Sequence, residues 1–164
     1  MSRRFICVAA TAIACLTIAV AAFFLNMEGH LTIRDGDTGQ EYARYPMEPG
    51  GEFSITFIHS VNQTAITDCY CVGADGEIVL EKTIYYSFGA GVPFDLNPGE
   101  TLSYGEDGAM IISGIDRTIS DFYLFVGTVS DHTLSLGGED VSLRELCGRN
   151  TKVRIAYEFP QFHL

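Results

Sequence analysis

The feature that most constrains this chain is a two-residue alternation of side-chain character, interrupted every few residues by turn formers. "EFSITFIH" (52–59) puts Phe53, Ile55, Phe57 and His59 on one side of an extended chain. The same period runs through "HLTIR" (30–34), "EYARY" (41–45), "AITDCYCV" (65–72) and "EIVLEKTIYY" (77–86). It returns in "AMIIS" (109–113), "FYLFVGT" (122–128), "HTLSL" (132–136) and "KVRIAYEF" (152–159). Between these runs lie "DGDTG" (36–40), "EPGG" (48–51), "GADG" (73–76), "NPGE" (97–100), "GEDG" (105–108) and "LGGED" (136–140). Only "SLREL" (142–146) suggests a helical turn. The pattern predicts an all-β fold, an antiparallel β-sandwich or partly open barrel of about 8–10 short strands. No repeat and no second domain are visible.

The N-terminus follows different rules. Arg3 and Arg4 precede an uncharged run from Phe5 to Leu25. As a helix those 21 residues would be ~30 Å long, enough to cross a hydrocarbon core. Arginines before the run and acids after it place the remainder outside the cytoplasm. Ala19-Val20-Ala21 could be cut by a signal peptidase, which would leave a secreted or periplasmic protein. Apolar residues continue through Phe23, Phe24 and Leu25, which favours a retained single-pass anchor in the cytoplasmic membrane. The expected organisation is therefore 1–25 as anchor or signal peptide and 26–164 as one extracytoplasmic β domain.

Charge narrows the partners. All 21 acidic residues but only eight of the ten basic ones lie beyond residue 25, a formal charge of −13 for that part. Such a surface repels nucleic acid. Three cysteines fall there too. Cys69 and Cys71 share a strand face, so a disulfide from Cys147 to one of them is the geometrically easier bridge if one forms. Asn62-Gln63-Thr64 fits a glycosylation sequon, which has meaning only in a eukaryotic host.

Catalytic patterns are weak. His59 and Ser60 are adjacent on an extended segment and point to opposite faces, so the imidazole is badly placed to activate the hydroxyl. No G-x-S-x-G elbow occurs. His59, Asp68, Cys69, Cys71 and His132 are metal-ligand types, but their spacing matches no zinc or calcium signature. A site assembled from separate strands would escape spacing rules, so metal binding stays open. "FGAGVPF" (88–94) lacks a phosphate-binding pattern, and no cofactor is expected. Its apolar residues, stiffened by Pro93, suit a loop folded back over one end of the sandwich. A hydrogen-bonded core histidine is the plainest reading of His59.

Together, "HSV" (59–61), "TDCY" (67–70), "FGAGVPF" (88–94) and "DHTLSLGGEDVSLREL" (131–146) resemble the bacterial family called domain of unknown function 1850, over roughly residues 28 to 157. Members often accompany tripartite ATP-independent periplasmic (TRAP) transporters. The resemblance implies a non-enzymatic, membrane-tethered accessory protein contacting the transporter's membrane subunit or its solute-binding protein. It marks His59, Ser60, Asp68, Gly89, Gly91, Pro93 and His132 as candidate ligand contacts. The family's acidic position is usually glutamate, where this chain has Asp68. His59 and Asp68 are expected to pair across a hairpin, with His132 opposite, forming a shallow polar pocket under the glycine loop. The alternative function is a small-ligand or metal-binding module using that His/Asp rim.

Overall fold

The computed structural model describes residue 17 and residues 29–61, 63–87, 93 and 95–159. Two antiparallel sheets share one core. The smaller sheet contains β1 (His30–Asp35), β2 (Glu41–Pro46), β8 (Tyr123–Val126) and β11 (Thr151–Glu158), in the order β2-β1-β11-β8. The larger contains β3 (Glu52–Ile58), β4 (Ala65–Val72), β5 (Ile78–Tyr85), β6 (Thr101–Tyr104), β7 (Met110–Ile119), β9 (His132–Leu136) and β10 (Glu139–Ser142). Its order is β10-β9-β3-β4-β5-β7-β6. This is the architecture of a β-sandwich, as the alternation predicted. The segment expected to form a membrane helix lies outside the described residues apart from Thr17. Among the described residues no helix is long and apolar enough to cross a membrane.

The core follows from the alternation. Leu31 and Ile33 of β1 and Val153 and Ile155 of β11 face inward from the small sheet. Phe53 and Ile55 of β3, Tyr70 and Val72 of β4, and Leu134 and Leu136 of β9 meet them from the large one. Each fully buried aliphatic side chain contributes about 1.5–3 kcal/mol relative to exposure. One short helix, α1 (Leu143–Cys147), packs against one end of the sandwich and buries Leu143. Ser142 caps it, its Oγ accepting from Glu145 N–H at 3.0 Å.

Two strands were not legible in the sequence. In β6 every residue is exposed, so no face is selected and no alternation arises. In β10, Glu139 and Asp140 are poor strand formers, yet Gly137 and Gly138 both have positive φ (58° and 84°) and fold the chain back onto β9. β7 also runs beyond the expected 109–113. It continues through an irregularity in which residues 114–116 lie opposite the single residue Glu81 of β5.

The cysteine expectation is corrected. Cys69, Cys71 and Cys147 are all free thiols. Cys69 and Cys71 alternate with the inward-facing Tyr70 and Val72 and so face outward from the large sheet. Cys147 lies on α1, packed against the core at the end of the sandwich. Bridging them would require the backbone to move.

Candidate functional site

His59 follows β3, where the chain turns toward β4. Its N–H donates to Thr64 O and its carbonyl accepts from Gln63 N–H, both at 2.9 Å. Ring Nδ1 accepts from Val61 N–H at 3.3 Å, which leaves the ring proton on Nε2. The imidazole thus helps to hold its own loop. Ser60 is exposed, and its carbonyl accepts from Gln63 Nε2 at 2.6 Å.

The expected His59–Asp68 pair is not made. β3 and β4 pair Ile58 with Ala65 and Ile55 with Asp68, so Asp68 stands four strand positions back from His59. At about 3.3 Å per residue that is roughly 13 Å along the sheet. His132 sits opposite Phe57, its ring 5.5 Å from the Phe57 ring. Two strand spacings and two residues separate it from Asp68, roughly 12 Å. Among the described residues, no three His, Cys, Asp or Glu side chains converge as a metal site would require. Pro93 is exposed; Gly89 and Gly91 lie outside the described residues, as do Phe88 and most of the loop expected to cover the site.

His132 belongs to a knot centred on Asp131. The Asp131 carboxylate accepts from His132 N–H (2.7 Å), Arg144 N–H (3.0 Å) and Ser142 Oγ (2.5 Å). Burial opposes its charge, but these hydrogen bonds and the Arg144 guanidinium outweigh burial and hold its pKa below the ordinary value. Burial lowers the pKa of His132, Asp131 raises it and Arg144 lowers it; the net shift is downward. Its buried Nδ1 has no hydrogen-bond partner among the described residues. This knot ties β9 to α1 and reads as scaffold.

Asp68 lies elsewhere, on the inner face of the large sheet. Its neighbours Ile66 and Tyr70 on the same face are buried. Thr83 Oγ1, across the register on β5, donates to Asp68 Oδ1 at 2.7 Å. Burial raises the Asp68 pKa, while Thr83, Arg117 and the Tyr70 hydroxyl pull it down; burial prevails. Tyr70 is raised chiefly by burial, then by Asp68, and Tyr85 likewise. Tyr70 also stacks on Phe53 and packs tilted against Phe122, with ring centroids 5.1 and 4.8 Å away, so its ring has little freedom.

Exposed Arg117 comes to the edge of this face through the β7 irregularity. Gly114 (φ 74°) and Asp116 (φ 44°) take left-handed conformations there. Register resumes with Arg117 opposite Leu80, itself opposite inward-facing Tyr70. The shift thus turns Arg117 onto the inner face, two strands from Tyr70. Sequence reasoning missed Tyr70, Thr83, Tyr85 and Arg117. No local motif marks Arg117, because its direction depends on residues 114–116. The thiols offer no activated nucleophile: burial, then Glu81, pushes Cys71 up to about 11, and burial, then Asp35, does the same for Cys147.

Residues 53–143, more than half of the chain, match the family model described as Domain of unknown function (DUF1850). The match spans β3 to β10, including Asp68, Thr83 and Arg117, and leaves out β1, β2 and β11. No curated protein and no solved structure matches.

Proposed function

This chain belongs to the domain of unknown function 1850 family, and from that premise we propose that it is a non-enzymatic accessory domain tethered outside the cytoplasmic membrane. It would work beside a TRAP-type organic-solute transporter, contacting the membrane subunit or the solute-binding protein. The tether raises the domain's effective concentration at a membrane partner. The observation that carries the reading is the outer face of the small sheet. In an acidic chain, that sheet holds Arg34, Arg44, Lys152 and Arg154, half of the basic residues beyond residue 25. Glu41 and Glu158 pair with Arg34 and Arg44, Asp37 pairs with Lys152, and Arg154 has no ion pair among the described residues. Next to them stand the exposed aromatics Tyr123 (42%) and Phe125 (61%), with Lys152 Nζ 4.7 Å from the Tyr123 ring centroid. Exposed aromatics beside cations favour protein interfaces. β1 of the same sheet begins five residues after Leu25, so the proposed tether leads directly into it.

Co-purification in detergent tests this. The wild-type chain is expected to retain the transporter subunit, and a Phe125→Asp, Arg154→Glu variant to lose it while keeping its melting temperature. Absence of the subunit from the wild-type preparation, with both proteins well expressed, would count against the reading.

A second reading, a small-ligand-binding domain, is favoured by one observation: Asp68, hydrogen-bonded by Thr83, stands on the otherwise apolar inner face of the sheet that the family match covers. It predicts a ligand-dependent rise in melting temperature, since a ligand bound only by the folded state stabilises it.

A further inference from the structure

We infer that the open edge of β8 takes an extended, acidic segment of the partner protein as an added strand of the small sheet. This deepens the accessory-domain reading and rests on it. β8 ends the order β2-β1-β11-β8, so one of its sides has no neighbouring strand. The register fixes which groups stand on that side. Ile155 N–H donates to Phe122 O at 2.9 Å, in line with the pairs Leu124–Val153 and Val126–Thr151. Alternation then turns the backbone groups of Phe122, Leu124 and Val126 toward β11 and those of Tyr123 and Phe125 away from it. Tyr123 N–H folds back onto Asp121 O at 3.1 Å. Tyr123 C=O and both backbone groups of Phe125 are left to an incoming strand, as strand addition requires.

The other sheet edges are less open to such a strand. β2 carries Glu41, Arg44 and Pro46, and β10 carries Glu139 and Asp140, residues that discourage pairing. β6 has no charge of its own, but Glu100 precedes it and Glu106 and Asp107 follow it. β8 has neither proline nor charge, and it exposes Tyr123 and Phe125. The strand beside it supplies the charge that selects the occupant. Lys152 and Arg154 stand opposite Phe125 and Tyr123 and share their outer face. Lys152 Nζ, 4.7 Å from the Tyr123 ring centroid, shows that a cation on β11 reaches over β8. Asp37 engages Lys152, whereas exposed Arg154 has no ion pair among the described residues. An added strand would lie two strand spacings from β11, about 10 Å between backbones. A guanidinium and a glutamate extended toward each other across the Tyr123 ring close that gap. A second copy of this chain would offer the same cations, so charge complementarity favours an acidic partner segment over self-pairing.

The test uses the full chain in detergent and a labelled, capped peptide in which glutamate alternates with valine, with a lysine–valine peptide as control. Fluorescence anisotropy is expected to show the glutamate peptide binding roughly tenfold tighter than the lysine one, and Arg154→Glu to erase that preference. N-methylation at one set of alternate peptide residues should abolish binding, and at the other set should not, because only one set faces β8. Phe125→Pro, which removes the edge N–H, should abolish binding without lowering the melting temperature, and exchange of the Phe125 amide should slow when the peptide binds. Equal binding of the two peptides, binding indifferent to either methylation pattern, or no binding at all would overturn the inference. Self-association of the chain that Phe125→Pro abolishes would also overturn it, with a second copy as the occupant. Co-purification of the transporter subunit with Phe125→Pro as with wild type would remove the edge and leave the accessory-domain reading standing. Peptide binding as described, with no subunit retained by the wild type, would remove the transporter and keep the edge.

Discussion

At the scale of single residues, environment separates Asp68 from Asp131. Asp131 collects two backbone N–H groups and a hydroxyl, and its charge is stabilised. Asp68 sits on an apolar inner face, where burial outweighs its hydrogen bonds. With its folded-state pKa above the ordinary 3.8, the folded chain holds this proton to higher pH than the unfolded chain does. Its contribution to stability therefore falls as pH rises from the ordinary carboxylate range through the raised value. Asp68→Asn removes that slope and keeps an acceptor for Thr83. Urea denaturation is expected to find the variant equal to or more stable than wild type at pH 7, by up to about 1 kcal/mol. The difference should vanish near pH 4. A loss of stability at pH 7 would mean that the charged carboxylate is favoured in the fold.

At the scale of elements, the irregular pairing of β5 and β7 decides what the large sheet presents. On β5, Ile78 and Leu80 face inward on one side of Glu81, while Thr83 is buried on the other. An uninterrupted alternation would point Lys82 inward instead. The backbone around Gly114 leaves no room for a side chain. An added Cβ would lie 2.7 Å from Gly99 O, at a φ of +74°. Gly114→Ala is expected to cost about 1–3 kcal/mol in chemical denaturation. Unchanged stability would show that the turn at residues 97–100 yields easily.

At the scale of the whole molecule, two sheets share one core, and no disulfide joins the cysteines among the described residues. The roughly 140 residues beyond the N-terminal run are enough for a single-domain core. Fully buried Leu31, Ile33, Leu134, Val153 and Ile155 supply it from both sheets. With Cys69, Cys71 and Cys147 free, adding a reductant is expected to leave the melting temperature unchanged. Thiol titration of the denatured, unreduced protein should find Cys69, Cys71 and Cys147 reactive, in addition to Cys7 and Cys15 of a retained N-terminal segment. A large fall in melting temperature on reduction would reveal a bridge and a different packing of α1.

The sequence by itself determined the class of fold and most of the strands, because a residue's inward or outward direction in a regular strand depends only on parity. It also carried the family's marks, including "HSV" and Asp68, and the face on which Phe53, Ile55 and Phe57 lie. Only the tertiary structure decided which polar residues meet. His59 and Asp68 are close in sequence, but the 59–64 turn fixes a register that places Asp68 opposite Ile55. Arg117 is distant in sequence from Asp68 and comes onto the same sheet face, two strands away, through pairing across β4, β5 and β7. Register and bulges are set by many contacts at once, so no short stretch of sequence records them.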